Sequence, residues 1–373
     1  MKIGIDTFGC DHARSGLGAY ILNFIANIPD DGEFSFGLFG SEIDRYTYSG
    51  DRDIPFVSAN VPDSLEAERL WHLFGAGKFT ARSGYDAVLY PAAEKVVPVS
   101  FRRPGIVIAN SIISSSPAWH DRMYRFQLRR GLVKAEKIIA ASEFIKNDLV
   151  SLGIDGNRIS VIHNGIDHKL FYPSMEADTD VVEIKPFAIK RPYFIYGSRL
   201  AGPEKKHLEL IRAFSLFKSR TGLPHRLVLS GSGGAYTESV HRAAFESPAA
   251  SDIFLTGYFP HESFPQLYAG ADACVFPSVN EGVGLPVLES MACGIPVICS
   301  SSGALPEIGG DVPLYFDSDN VDEMAECMEK VVTDPVLRER MVSAGLERAA
   351  EFSWEKTVRT TLDAVAETVS AAR

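Results

Sequence analysis

Residues 271–300 read ADACVFPSVNEGVGLPVLESMACGIPVICS, and this stretch decides the fold. The apolar run Ala273–Phe276 is strand-like, the loop after it carries Gly282 and Gly284, and Pro286 stands where a helix tolerates proline in its first turn. The segment Pro286–Ala292 then reads as a helix and Pro296–Cys299 as the next strand. Strand, loop, helix and strand in that order make one crossover unit of a parallel sheet.

The same alternation runs outward in both directions. Upstream of this stretch, strands are expected at Tyr193–Tyr196, Leu227–Leu229 and Ile253–Thr256, with helices at Leu208–Lys218, Glu238–Phe245 and Glu262–Tyr268. Downstream, Val321–Val332, Pro335–Ala350 and Trp354–Val369 have helical spacing. A separate series occupies the first half, with strands at Lys2–Asp6, Phe34–Phe39, Ile54–Ala59, Ala87–Tyr90, Ile106–Ala109, Lys137–Ala140 and Ile159–His163. Helices Ala19–Ile28, Ser64–Phe74, Asp121–Ala135 and Glu143–Leu152 lie between them. The fold class is α/β. Between the two series, residues 164–180 (NGIDHKLFYPSMEADTD) break the periodicity with a turn dipeptide, a proline and acidic residues, and read as a linker. A chain of 373 residues is long enough for two such cores. The expected division is 1–175, 176–352 and a closing helix in 353–373.

Composition narrows the function. With 23% charged and 46% hydrophobic residues the chain is an ordinary globular protein, and its net charge of −11 argues against a nucleic-acid partner. Five cysteines without a CxxC pair read as buried thiols in a reducing compartment. No apolar run is long enough to span a bilayer, so the expected location is cytoplasmic. Arg122, Arg125, Arg129, Arg130 and Lys134 alternate with Met123, Tyr124, Phe126 and Leu128; that helix either covers the sheet or rests peripherally on anionic lipid.

Chemistry is expected beyond the carboxyl ends of the strands, where parallel sheets bind ligands. Glu281 and Glu289 flank the start of the helix after Phe276. Helical side chains lean toward the N-terminus, so the Glu289 carboxylate points back to the cleft that Glu281 borders. Carboxylates repel a diphosphate, and their natural partners are the hydroxyls of a ribose and a hexose. The plainer alternative is a solvated loop glutamate and a capping glutamate. At the end of Tyr193–Tyr196, GSRLAGPEKK places Arg199 and Lys205 six residues apart, as a fork and a point charge able to hold two phosphates; Lys206 is the neighbouring alternative. The glycines of SGSGG (Gly231, Gly233, Gly234) permit either close approach to a ligand or a tight turn, and Gly16 and Gly18 precede the first helix. Their spacing is not a dinucleotide fingerprint, which disfavours a nicotinamide enzyme. No dense Asp/His cluster has metal-ligand spacing.

Taken together these residues resemble the retaining glycosyltransferases of family 4, whose GT-B fold sets two Rossmann-like domains facing each other across a cleft. The likeness covers nearly the whole chain. It is strongest around the two glutamates separated by seven residues, and is seen again in GSRLAGPEKK, SGLGAY and KIIAASEFIKNDLVSLGIDGNRISVIHNGID. The resemblance implies transfer of a hexose, mannose by general likeness, from a GDP- or UDP-sugar to a saccharide or lipid-linked acceptor. It implies an acceptor-binding first domain, a donor-binding second domain and a closing helix that returns to the first. It also implies Glu289 on the donor ribose, Glu281 on the sugar hydroxyls, and Arg199 and Lys205 on the leaving diphosphate. Gly282, Val283, Gly284 and Leu285 would lie against sugar or phosphate, and the leaving phosphate would act as base. The resemblance implies independence of metal and other cofactors, in agreement with the lack of metal-ligand spacing. Family members commonly carry a His-Asp pair after the strand Ile106–Ala109; here the segment is IVIANSIISSSPAW, with Ala109–Asn110 or Asn110–Ser111 in its place. Asn110, with Asp11 and His12 from another loop, are the weaker candidates for sugar or acceptor contact. That departure leaves a sugar-nucleotide-binding protein without turnover as a competing reading, and a nucleotide-sugar epimerase on the same two-domain scaffold is a third. The oligomeric state is left open.

Overall fold

The computed structural model describes residues 1–13, 16–49, 52, 54–174 and 180–371. The chain divides into two units, Met1–Gly165 with Ser353–Arg373, and Ile166–Phe352. The boundary expected at 175/176 lies outside the described residues.

Among the described residues, the first unit holds one parallel sheet of seven strands: β1 (Lys2–Asp6), β2 (Ser35–Gly40), β3 (Phe56–Ser58), β4 (Ala87–Tyr90), β5 (Gly105–Ala109), β6 (Lys137–Ala140) and β7 (Ile159–Val161). Their order is β3-β2-β1-β4-β5-β6-β7. Because β1 neighbours both β2 and β4, the winding direction reverses between β1 and β4. That reversal opens a crevice at the strands' carboxyl ends, where doubly wound sheets bind ligands.

Apolar side chains on alternate sides of these strands build the core. Ile3, Ile5, Leu38, Leu89 and Ile108 pack with Tyr20 and Phe24 of the helix Gly16–Ala26. The closing helix Trp354–Ala371 belongs to the same core through Trp354, Val358, Leu362 and Val365. The Trp354 and Tyr20 rings meet edge to face with centroids 5.4 Å apart. The chain approaches so closely here that a Cβ on Gly165 would lie 2.2 Å from the Trp354 amide nitrogen.

The second unit contains, in the described residues, a hairpin and a six-stranded sheet. The antiparallel hairpin pairs β8 (Val181–Ile184) with β9 (Phe187–Lys190). It was not expected from the sequence, where three charges in ten residues and a central proline hide the strand pattern. The sheet comprises β10 (Tyr193–Gly197), β11 (Arg226–Ser230), β12 (Ile253–Gly257), β13 (Ala273–Phe276), β14 (Val297–Ser300) and β15 (Leu314–Phe316), in the order β12-β11-β10-β13-β14-β15. All neighbours in it are parallel, and the reversal lies between β10 and β13.

All five cysteines are buried and free, and burial raises their thiol pKa values. They are core residues rather than nucleophiles. The helix Arg122–Lys134 packs Tyr124, Leu128 and Leu132 inward and leaves Met123 and Phe126 exposed. No described helix is long and apolar enough to cross a membrane.

Candidate active site

The two strands flanking the reversal in the second unit lead into the two loops that carry the candidate residues. β10 runs into Ser198–Lys206 and β13 into Pro277–Gly284. On the β10 side, Gly202 precedes Pro203, which opens the short turn Pro203–Lys205, and Lys206 follows in a left-handed conformation with φ 55°. The Tyr196 hydroxyl donates to the Lys205 carbonyl at 2.9 Å, and the Val279 amide donates to the Glu204 carbonyl at 3.0 Å. The two loops are thereby fixed to each other.

That pinning brings Lys205 and Glu281 together. Lys205 Nζ lies 3.2 Å from Glu281 Oε2 and 3.4 Å from Ser278 Oγ, with both charged side chains about one-fifth exposed. Glu281 Oε1 is 3.4 Å from the Gly284 amide, which caps the helix Leu285–Ala292 with φ +71°. Gly282 and Val283 form the bend between Glu281 and Gly284. Lys206 instead turns to an ion pair with Asp319, which raises its pKa. Of the two adjacent lysines, Lys205 is the one beside the glutamate. Arg199 is exposed, and its guanidinium has no hydrogen-bond or ion-pair partner among the described residues.

Glu289 lies in the second turn of the helix Leu285–Ala292 and is buried. Its Oε1 is 2.9 Å from His261 Nε2, whereas Oε2 has no hydrogen-bond partner among the described residues. The hydrogen bond to Glu289 is the main cause of the raised His261 pKa, against the opposing effect of burial. The histidine ring in turn meets Phe171 edge to face at 5.1 Å. His207, under the same loop as Lys205, is kept neutral: burial first, and then the Lys205 charge, push its imidazole down to about 4.

Sequence reasoning missed two supports of this site. One is His261, separated from Glu289 by the helix Phe264–Ala269 and the strand β13. The other is Gly303, in the loop after β14, whose φ is +66° and whose Cβ, if present, would lie 2.5 Å from the Glu281 carbonyl oxygen. The next residue, Ala304, donates its amide to that same carbonyl at 2.8 Å. The glycine cluster after β11 (Gly231, Gly233, Gly234) has a packing explanation: a Cβ on Gly231 would be 2.0 Å from the Ser198 carbonyl, and one on Gly234 2.5 Å from that of Leu200. These glycines let the Arg199 loop lie against the loop beyond β11.

Gly16, Gly18, Asp11, His12 and Asn110 belong to the first unit. A Cβ on Gly18 would be 2.3 Å from Ala13 Cα, so this glycine is required by helix-on-loop packing, whereas Gly16 faces open space. Asp11 pairs with Lys95, and His12 bridges Asp44 at 2.7 Å and Asp63 at 3.3 Å. Burial lowers the His12 pKa, but the two carboxylates outweigh it and raise the value. Asn110 Oδ1 accepts from Asn164 Nδ2 at 3.2 Å.

A doubly wound sheet in each of two units, with cations and carboxylates at the reversal of the second, defines a glycosyltransferase of the GT-B class. Two family profiles match in series: Glycosyltransferase Family 4 over residues 50–170 and Glycosyl transferases group 1 over 180–348. The chain belongs to these family 4-like GT-B glycosyltransferases. It is 29% identical over 382 residues to O-antigen chain mannosyltransferase B of Escherichia coli, covering 98% of this chain and 99% of that one. It is 30% identical over 253 residues to alpha-maltose-1-phosphate synthase of Mycobacterium tuberculosis, covering 62% of this chain and 63% of the relative. Two solved structures share the fold at 19% identity. Sucrose-phosphate synthase of Thermosynechococcus elongatus has a TM-score of 0.74 and 100% coverage of both chains. The Anabaena protein HepE, in complex with UDP and glucose, has a TM-score of 0.73 and covers 98% of this chain and 99% of its own.

Proposed function

We propose that the chain transfers mannose, with retention of anomeric configuration, from GDP-mannose to a saccharide or lipid-linked saccharide, without a metal ion. The observation that carries this reading is the Lys205–Glu281 pair at the reversal of the second sheet, with the unpartnered Arg199 on the same loop as Lys205. A negative diphosphate and a neutral sugar are the two halves of a ligand that such a mixed site accommodates. Arg199 and Lys205 hold the diphosphate and stabilise the charge that grows on it as the glycosidic bond to phosphate breaks. Glu281 accepts hydrogen bonds from the sugar hydroxyls, and Glu289 accepts from the ribose through Oε2 while His261 holds Oε1. The acceptor hydroxyl attacks from the face the phosphate leaves and passes its proton to the leaving phosphate.

The choice of mannose is supported by the full-length likeness to the Escherichia coli mannosyltransferase. Contact with a lipid surface bearing the acceptor is supported by the helix Arg122–Lys134, where Met123 and Phe126 are 84% and 67% exposed among Arg122, Arg125, Arg129 and Arg130. The test is a panel of GDP- and UDP-sugars with mannose-containing acceptors, scored by nucleotide release and by NMR of the product linkage. An α-linked mannosyl product from GDP-mannose is expected. A β-linked product refutes retention, and turnover confined to UDP-sugars refutes the donor.

A further inference from the structure

His207 is a buried histidine that the proposed reaction leaves unused. It opens the helix His207–Thr221, directly after the loop 198–206 that carries Arg199 and Lys205, and only 1% of it is exposed. Helical side chains lean toward the N-terminus, so a ring at the first position of a helix lies back against the loop that enters it. The His207 ring centroid is 4.9 Å from that of Tyr196, with the planes tilted by 42°. The Tyr196 hydroxyl in turn donates to the Lys205 carbonyl at 2.9 Å. The polar group near enough to act on the imidazole is the Ser198 backbone, which works to raise its pKa, although neither ring nitrogen completes a hydrogen bond of ordinary length and angle.

One side chain thus meets both ends of one loop. Lys206 joins His207 to Lys205, while its ring lies against Tyr196 of β10 and the backbone of Ser198, the residue before Arg199. Bonds to neighbouring loops hold other points: the Ser198 amide donates to the Ser230 carbonyl at 2.7 Å, and the Leu200 amide to that of Ser232 at 3.0 Å. The choice of side chain follows from what surrounds it. A charged ring would be repelled by Lys205 and stranded away from water, and an apolar ring would set carbon against the Ser198 backbone. A neutral imidazole packs on Tyr196 and keeps an N–H edge for Ser198. Burial and the Lys205 charge together hold it in that neutral form.

We propose that His207 is a positioning residue for the phosphate-binding loop: its neutral ring wedges the Ser198 end against the Lys205 end and sets the spacing at which Arg199 and Lys205 meet one diphosphate. The role toward a diphosphate rests on the sugar-nucleotide reading above. The ordering of the loop by the ring does not.

The full chain and its His207→Phe and His207→Gln variants are compared in two measurements, each made with and without Arg199→Ala. Phenylalanine keeps a ring to pack on Tyr196 but has no N–H, whereas glutamine keeps a neutral N–H. The first measurement is amide hydrogen exchange over residues 199–206 in the free protein. His207→Phe is expected to speed exchange there by about fivefold or more without changing it in the strands of the sheet, and His207→Gln to recover most of the protection. The second is GDP affinity by calorimetry. His207→Phe should weaken it by about fivefold, as loss of one polar contact does, and His207→Gln by less. With Arg199→Ala present the loss should shrink to about twofold or less, because a spacing matters only while both cations are there. Exchange or GDP affinity at the wild-type value in His207→Phe overturns the proposal. An equal loss with and without Arg199 also overturns it, being the mark of a general support of the fold, as does His207→Gln performing no better than His207→Phe. Where the wild type binds neither GDP nor UDP, the sugar-nucleotide reading fails, and the exchange measurement alone decides the role of His207.

Discussion

Lys205 Nζ stands 3.2 Å from Glu281 Oε2, although 76 residues separate them, because the loops after β10 and β13 meet where the sheet reverses. The pair holds a cation and a carboxylate side by side, and in the proposed function the first serves the phosphate and the second the hydroxyls of the same donor. Lys206, one residue on, turns to Asp319. Lys205→Ala is therefore expected to lower the transfer rate by about 100-fold or more, as loss of a transition-state charge partner does. Lys206→Ala removes only an exposed ion pair and should stay within about fivefold of wild type. Steady-state rates of nucleotide release for the two variants check this, and a reversed order assigns the phosphate to Lys206.

Glu289 presents one oxygen to His261 and leaves the other without a partner. The hydrogen bond raises the His261 pKa above the ordinary 6.5. The folded state therefore binds this proton more tightly than the unfolded chain, and the pair's contribution is complete below 6.5 and lost as pH rises through the folded value. In an NMR titration the His261 ring of the wild type should titrate above the ordinary value, and Glu289→Gln should lower the midpoint. An unmoved midpoint would remove the contact.

Much of this was legible in the sequence, and the exceptions have physical causes. Ala271–Ser300 could be read because strand, glycine loop and proline-led helix are local patterns, each set by residues near in sequence. β1, β4, β6 and β13 fall where the apolar runs placed them. Adjacent residues on one loop carry no such signal: only the left-handed backbone at Lys206 sends the two lysines to different partners. His261 and Gly303 were invisible because they act on Glu289 and Glu281 through tertiary contacts across 28 and 22 residues. The hairpin β8-β9 and the short strand β15 were missed because few residues in them are buried.

Gly303 is held at φ +66° against the Glu281 carbonyl. Gly303→Ala places a methyl group in that contact and strains the backbone by about 1–3 kcal/mol. Displacing Glu281 even slightly should lower transfer by about 10- to 100-fold. Ser301→Ala, an exposed neighbour, is the control. Equal activity of the two variants would show that the loop after β14 does not position Glu281.

Glu68 in the first unit is pushed up to about 7 from 4.5 by burial and by the nearby Asp6 charge, although the Gly9 amide donates to it. A raised carboxyl pKa means that the native state binds the proton more tightly than the unfolded chain, so stability falls as pH rises from 4.5 to about 7. Glu68→Gln removes that cost while keeping an oxygen for the Gly9 amide. Thermal unfolding should show the variant more stable than wild type above about pH 7, with the difference closing toward 4.5. A constant difference across that range would contradict the assignment.

Whether one sugar nucleotide joins Arg199, Lys205, Glu281 and Glu289 is decided by a crystal structure with GDP-mannose. The diphosphate is expected between Arg199 and Lys205, ribose hydroxyls on Glu289 Oε2 and mannose hydroxyls on Glu281. A nucleotide bound elsewhere, or with its phosphates on Lys206 and its ribose away from Glu289, would contradict it.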